Sequence, residues 1–310
     1  MANDYGWLGQ LRMGSLYPSI LSRMADVPPP DRAATRVLDL PAGCGVLSLP
    51  LAAAGFEVVP CDLFPEEFDG ECRRLAGRPV GEGVREGWQG RWSPRLRQRL
   101  FGASLPPSPP HLVCVAGDLQ ATLPFPDAAF DYVLFVEGIE HIPDRHHALS
   151  EVRRVLKPGG TLLLTTPNLL SVRARLSFAL VGQRTLRTWF DEHTGVLARS
   201  KDGTRTYHGH AFLADYFQLR YSLHHSGFRI RRLLPTITSL TSLLLLPLVW
   251  PFVALSTLRA TRRARRMYAA MAREGRLAAG TEPPYREMVR HLLSMPLLLG
   301  RVVAIEAEAV

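Results

Sequence analysis

The sequence predicts an α/β fold: a seven-stranded, mostly parallel sheet with helices on both faces, plus an apolar helical insertion between the last two strands. Three observations carry this. The run Arg36-Val-Leu-Asp-Leu-Pro-Ala-Gly-Cys-Gly is an apolar strand that ends in an acid and breaks into a glycine-bearing loop that opens a helix. A second apolar strand follows and ends in Asp62, about 20 residues on, the spacing at which nucleotide-binding α/β folds hold a ribose. Strands then keep alternating with helices, the pattern of a parallel sheet covered on both faces.

In chain order, the first strand is expected over 35–40 and the first helix over 45–54, with Gly55 as its C-cap. The second strand is 56–61. Residues 63–110 are rich in Gly, Pro and Arg and too long for an ordinary α/β connection, so they read as an insertion. The third strand is 112–116. The fourth, 132–136, is apolar throughout, as a strand covered on both faces should be. A helix over 146–156 stops at Lys157-Pro158-Gly159-Gly160, and the fifth strand, 161–166, is cut by Pro167. A helix over 212–226, a capping Gly227, a strand over 228–234 and a last strand over 301–307 complete the sheet. The domain reading is a lead-in over 1–34, a main domain over 35–234, an apolar and basic membrane-associating insertion over 235–299, and the final strand over 300–310.

The 310 residues carry a net charge of +9, and Lys157 and Lys201 are the sole lysines. With so much alanine and proline beside the arginine, this balance reads as GC-rich coding more than as a nucleic-acid surface. Cys44, Cys61, Cys72 and Cys114 have no metal-like spacing; three lie on or beside predicted core strands, so reduced thiols are expected. Asp4 comes early and no long apolar run follows it, which is unlike a signal peptide and points to the cytoplasm.

Four motifs in this order resemble the class I S-adenosylmethionine-dependent methyltransferases, over about residues 35–170 and again at 205–234 and 300–307. They are Val37-Leu38-Asp39-Leu40-Pro41-Ala42-Gly43-Cys44-Gly45; Asp62; Gly117-Asp118-Leu119 with Leu123-Pro124-Phe125-Pro126-Asp127 and Phe130-Asp131; and Val155-Leu156-Lys157-Pro158-Gly159-Gly160-Thr161-Leu162. Pro41 stands where the family usually has a third glycine. A nicotinamide-binding domain, the rival for the first two motifs, would prefer an unbroken Gly-x-Gly-x-x-Gly. The resemblance implies a Rossmann-like sheet and S-adenosylmethionine as cofactor. Gly43 and Gly45 would let it approach the backbone, and Asp62 would accept its ribose hydroxyls. Asp118 and the Leu119 backbone would take the adenine edge. Asp39 would orient the loop and the methionine ammonium, and Glu137 would line the cofactor.

Methyl transfer needs positioning, and a base only where the acceptor must lose a proton. After the fourth strand comes Glu137-Gly138-Ile139-Glu140-His141. This Glu-x-x-Glu-His loop is similar to that of ubiquinone-pathway O-methyltransferases and of small-RNA 3′-end 2′-O-methyltransferases. In those families such residues can hold a divalent metal, which implies Glu137, Glu140, His141 and His210 as candidate ligands; His210 precedes Asp215 and Leu219 with the spacing of the family's segment after strand five. Glu140, His141 and His210 are accordingly the candidate catalytic residues. Alternatively, His141 acts as a base or structural donor without metal, or the loop has no direct chemical role.

Residues 233–258 hold no charge, and arginines flank them on both sides. The strongly apolar core, 243–255, spans about 20 Å as a helix, short of a hydrocarbon layer of about 30 Å. If the strands on either side share one sheet, the chain must leave and return on the same side. The segment 233–266 therefore reads as a re-entrant or interfacial anchor with arginines on anionic headgroups, or else as a buried helical hairpin or an oligomer interface. The expected function is methyl transfer to oxygen of a small-molecule or lipid- or glycan-linked acceptor, at the inner face of the membrane. The alternatives are a catalytically silent membrane scaffold, and a metal-dependent RNA ribose methyltransferase. The chain lacks an RNA-binding domain or a basic aromatic platform, which disfavours RNA.

Overall fold

The structure is a computed structural model that describes residues 16–66, 68, 94–102, 111–183, 196–199, 206–276 and 283–310. The expected lead-in up to residue 15, most of the 63–110 insertion, and Cys72 lie outside these. The strands are β1 (Arg36–Asp39), β2 (Glu57–Asp62), β3 (Val115–Ala116), β4 (Phe130–Val136), β5 (Leu156–Pro167), β6 (Val196–Arg199), β7 (Thr206–His208), β8 (Phe228–Leu234) and β9 (Val302–Ala309). The helices are α1 (Leu16–Met24), α2 (Ser48–Ala53), α3 (Pro94–Phe101), α4 (Arg145–Val155), α5 (Val172–Val181), α6 (Tyr216–His225), α7 (Leu240–Arg273), α8 (Tyr285–Leu292) and α9 (Met295–Leu299).

Seven strands form one sheet in the order β3-β2-β1-β4-β5-β9-β8, and β6 pairs β7 in a separate ribbon. β1 to β5 run parallel. β9 slots between β5 and β8, antiparallel to both. The alternation of β4 shows why its unbroken apolar run was needed. Phe130, Val133 and Phe135 join one core with α4 and α6, whereas Leu134 and Val136 join the other with α1, α2 and α3.

Several boundaries differ from expectation. β5 begins at Leu156 because Leu156 already pairs with Phe130, and the register then jumps so that Thr161 faces Tyr132. The Lys-Pro-Gly-Gly segment is an excursion within the strand, with Gly159 at φ +76° and the Lys157 Nζ held 2.7 Å from Asp131. β3 has two residues where five were expected. α6 starts at Tyr216 because Asp215 closes a capping box with Gln218.

The insertion between β8 and β9 leaves and returns at one place. Thr238 bridges Gly300, the Ser239 amide donates to the Leu299 carbonyl, and the Arg301 amide donates to the Ile237 carbonyl. Between those points α7 runs 34 residues, about 50 Å, well past the expected apolar core. Of its residues only Ser242 and Val253 are buried, so it is not a buried hairpin. It is fastened near both ends: the Arg173 amide donates to the Ser242 hydroxyl, and Arg265 and Tyr268 pack on the Tyr285 ring of α8.

Candidate active site

The ends of β1, β2 and β4 meet at one cleft. Asp39, the last residue of β1, is 2% exposed, and its carboxylate accepts from the Ser48 hydroxyl at 2.6 Å. Burial pushes this carboxyl up to about 7; the Ser48 hydrogen bond opposes the rise and the nearby Asp62 adds to it. Asp62 ends β2 and works as a brace. One oxygen accepts the Gly43 amide at 2.8 Å and the other accepts the Phe64 amide at 3.0 Å. The glycine loop is thus hung on Asp62 before any ligand arrives, and each oxygen retains a second lone pair for an incoming hydroxyl.

The two glycines do different work. Gly43 has φ +52° and no atom within 4 Å of where a Cβ would stand, so its outer face is open to a ligand. Gly45 has φ +76°, and a Cβ there would meet the buried Phe68 ring at 2.8 Å; it permits close packing of the loop. This open cradle beside two acids fits a nucleoside with a cationic tail. Gly117, Asp118 and Leu119 lie next to it at the end of β3, where the Gly117 amide donates to the Asp62 carbonyl and Asp118 accepts the Gln120 amide.

Glu137 follows β4 at φ +51°, a left-handed backbone that a non-glycine residue adopts at a cost of about 1–2 kcal/mol. Thr165 of β5 holds it there. Its hydroxyl accepts the Glu137 amide at 3.1 Å and donates to the Glu137 carboxylate at 3.2 Å. Tyr17 of α1 enters the same site from the other side. Burial raises its phenol well above the usual range, and Cys44, Glu137 and Asp39 each add to the rise. Cys61 below them is a free buried thiol, pushed up to about 12 by burial, in line with the expected reduced cysteines.

Beyond Glu137, one turn of helix carries Glu140 and His141. Glu140 is fully buried and accepts from the Thr166 hydroxyl at 2.9 Å. His210, from a distant turn, brings Nε2 to 3.9 Å from the Glu140 carboxylate, and its ring meets the His141 ring edge-on at 5.1 Å. One ligand atom from each of Glu140, His141 and His210 lies within 4.8 Å of the others. Glu137, expected as a fourth member, is not in this group; it lines a neighbouring cavity with His210. His141 Nδ1 is 3.2 Å from the Gly209 carbonyl. A carbonyl only accepts, so Nδ1 is the donor here, and in the neutral ring Nε2 carries the lone pair.

Sequence reading missed three groups here. Tyr17 sits in a lead-in without a motif. Thr165 is hidden in an apolar strand. Arg173 and Arg301, which line the cavity, carry no motif; Arg173 follows the strand-ending Pro167 and Arg301 opens the expected last strand, and only those places could have flagged them.

The chain belongs to the methyltransferase-domain family, whose model matches residues 10–233. A demethylmenaquinone methyltransferase of Streptomyces avermitilis is 34% identical over 133 residues, 43% of this chain and 42% of that protein. A 27-O-demethylrifamycin SV methyltransferase of Amycolatopsis mediterranei is 52% identical over 42 residues, 14% of this chain and 15% of that protein. The chain spans about half or less of the length of the curated relatives it matches. Among solved structures, a SAM-dependent methyltransferase of Archaeoglobus fulgidus superposes with a TM-score of 0.47 at 15% identity, covering 98% of this chain and all of the other.

Proposed function

We propose that the chain is an S-adenosylmethionine-dependent methyltransferase that methylates an oxygen of a small-molecule or lipid-linked acceptor at a membrane surface. The observation that carries this reading is the pairing of two unlike groups of residues on either side of Glu137. On one side lie the open Gly43 loop, Asp39 and Asp62. On the other lies the Glu140–His141–His210 cluster. When bound, the cofactor supplies an electrophilic methyl group. Asp62 and the loop amides would hold its sugar, Asp118 and the Leu119 backbone would hold its base, and the Asp39 carboxylate would take its ammonium. Across the site, His141 Nε2 takes the proton of an acceptor hydroxyl. The Gly209 carbonyl keeps the ring in the competent tautomer, and the buried Glu140 charge stabilises the imidazolium through His210.

A second reading has its own observation. The same three side chains converge closely enough to suggest a divalent ion, and carboxylate with imidazole suits Mg²⁺, Mn²⁺ or Zn²⁺. Glu140, His141 and His210 would hold it, and it would acidify the acceptor hydroxyl. Elemental analysis separates the two readings: bound metal lost in His210→Ala supports the ion, and full activity after chelation removes it.

Membrane contact is supported by α7, a helix long and apolar enough to cross a membrane yet with 11% of its apolar window buried. It lies along the domain, fastened near both ends, which suits an in-plane interfacial position. The direct test of the enzyme is transfer of labelled methyl from S-adenosylmethionine to a lipid extract. The wild type should label a base-dependent acceptor, and His141→Ala should lose transfer while still binding the cofactor. Undiminished transfer in that variant would contradict the proposal.

A further inference from the structure

A cavity of about 200 Å³ opens between the end of β5 and the insertion. Its polar lining includes Glu137, Asn168, Arg173, His210, Ser239 and Arg301, with Ser171 capping α5. Asn168 is spent on structure: its amide nitrogen donates to the Leu297 and Gly300 carbonyls, and its oxygen accepts the Leu170 amide. Ser239 caps α7. The two arginines differ from most of the buried or half-buried ones. Several guanidinium groups of the domain meet carboxylates: Arg23 and Arg232 share Glu306, Arg220 takes Glu287, and Arg154 takes Glu151; Arg32 and Arg175 donate to backbone carbonyls instead. Among the described residues, neither the Arg173 nor the Arg301 side chain has a carboxylate or carbonyl partner; what is engaged is backbone, the Arg173 amide with Ser242, the Arg301 amide with Ile237 and the Arg301 carbonyl with the Asn168 amide. Arg173 is half-buried and Arg301 exposed. Two arginines thus line a small cavity in which Glu137, at the cofactor side, is the one acid among the lining residues.

The surroundings of this cavity are apolar. Arg173 lies in the first turn of α5, and Ser239 precedes the first turn of α7. Both helices continue outward with exposed apolar side chains. Leu176 and Leu180 project from α5, and Leu240, Leu244, Leu248 and Phe252 from α7; Leu244 and Phe252 are 70% and 71% exposed. A site that is cationic inside and greasy at its rim matches one kind of molecule.

We propose that Arg173 and Arg301 hold an anionic group, phosphate or carboxylate, of an amphiphilic acceptor whose apolar tail lies on α5 and α7. This rests on the methyltransferase reading and names the acceptor class for it. Paired guanidiniums suit such an anion because each offers two parallel donors to its oxygens. His210 reaches both the cavity and the catalytic cluster, so an anion there would set the neighbouring hydroxyl toward His141.

The test uses the full chain without cofactor and with three probes: inorganic phosphate, dioctanoyl phosphatidic acid and dioctanoyl phosphatidylcholine, the lipids kept below micelle formation. Phosphatidic acid should bind most tightly. The double variant Arg173→Gln/Arg301→Gln should weaken it by about tenfold or more, the worth of one or two charge-assisted hydrogen bonds. Removing the same charge elsewhere, in Arg262→Gln/Arg263→Gln on α7, should leave it unchanged. S-adenosylmethionine affinity, titrated separately, should be the same in all three proteins. Equal binding of the two lipids, or equal loss in the α7 control, would overturn the proposal. So would loss of cofactor binding in the cavity variant, since the arginines would then serve the cofactor. Phosphate binding as tightly as phosphatidic acid would overturn the amphiphile. Absent cofactor binding in the wild type would instead defeat the underlying reading, and the lipid arms would still report on the cavity.

Discussion

The two halves of the cleft are built on opposite principles. On the β1–β2 side the acids are buried and already hydrogen-bonded by the protein: Ser48 on Asp39, the Gly43 and Phe64 amides on Asp62. On the β5–α7 side, among the described residues, the charges are arginines without carboxylate partners, ringed by exposed leucine and phenylalanine. In the proposed reading the first half is a preformed receptor for one ligand and the second takes something amphiphilic. The difference explains why motifs mark the first half and composition alone marks the second. A fixed ligand demands fixed residues at fixed spacing, whereas a greasy acceptor demands only apolar area and charge somewhere near it.

The sharpest way to break this comparison is at the boundary between the halves. His141→Ala should lower kcat by about 10²–10⁴, with cofactor affinity unchanged when measured by titration. A matching loss of cofactor affinity would mean that the two pockets are not separate. Next, Thr165→Val removes the hydroxyl that ties Glu137 into its left-handed turn. Thermal unfolding should report a loss of about 1–2 kcal/mol, with cofactor affinity falling as Glu137 drifts.

The buried Asp39 gives the cofactor side a pH signature of its own. Its folded value of about 7 lies above the ordinary carboxyl value of 3.8. Between those limits the folded cofactor-free protein keeps a proton that the unfolded chain has released, so stability should fall as pH rises from about 4 to about 7. Cofactor affinity should run the other way, rising through pH 7 as the carboxylate ionises opposite a cationic ammonium. Denaturant titration and calorimetry over pH 5–8 check both, and Asp39→Asn should flatten both. The smallest effect is expected on α7. Leu244→Asp with Phe252→Asp should change stability by about 0.5 kcal/mol or less, because both side chains face outward. The same pair should abolish co-sedimentation with anionic vesicles. Retained vesicle binding would remove α7 from the membrane account.

Much of the fold could be read in advance because its signals are local. Asp39 and Asp62 lie where apolar strands end, Gly55 and Gly227 punctuate helices, and β4 is apolar on both faces because both faces are covered. The resemblance of the segment after strand five to that of related methyltransferases implied the approach of His210 to Glu140 and His141, which the structure brings together. Boundaries failed where pairing overrules local chemistry: Leu156 pairs with Phe130 before the glycines interrupt the strand. The helix in the insertion proved longer than its apolar core, because the charged stretch after Leu258 continues α7 past Pro247 and Pro251. Tyr17, Arg173 and Arg301 were silent because each matters only through what folding brings beside it.

The most direct measurement is calorimetric titration of S-adenosylmethionine into the full chain and into Asp62→Ala. The account predicts saturable one-to-one binding by the wild type, and at least about a hundredfold loss in the variant, which forfeits both a ribose partner and the anchor of the Gly43 amide. Equal affinity in the two proteins, or no binding by either, would contradict it.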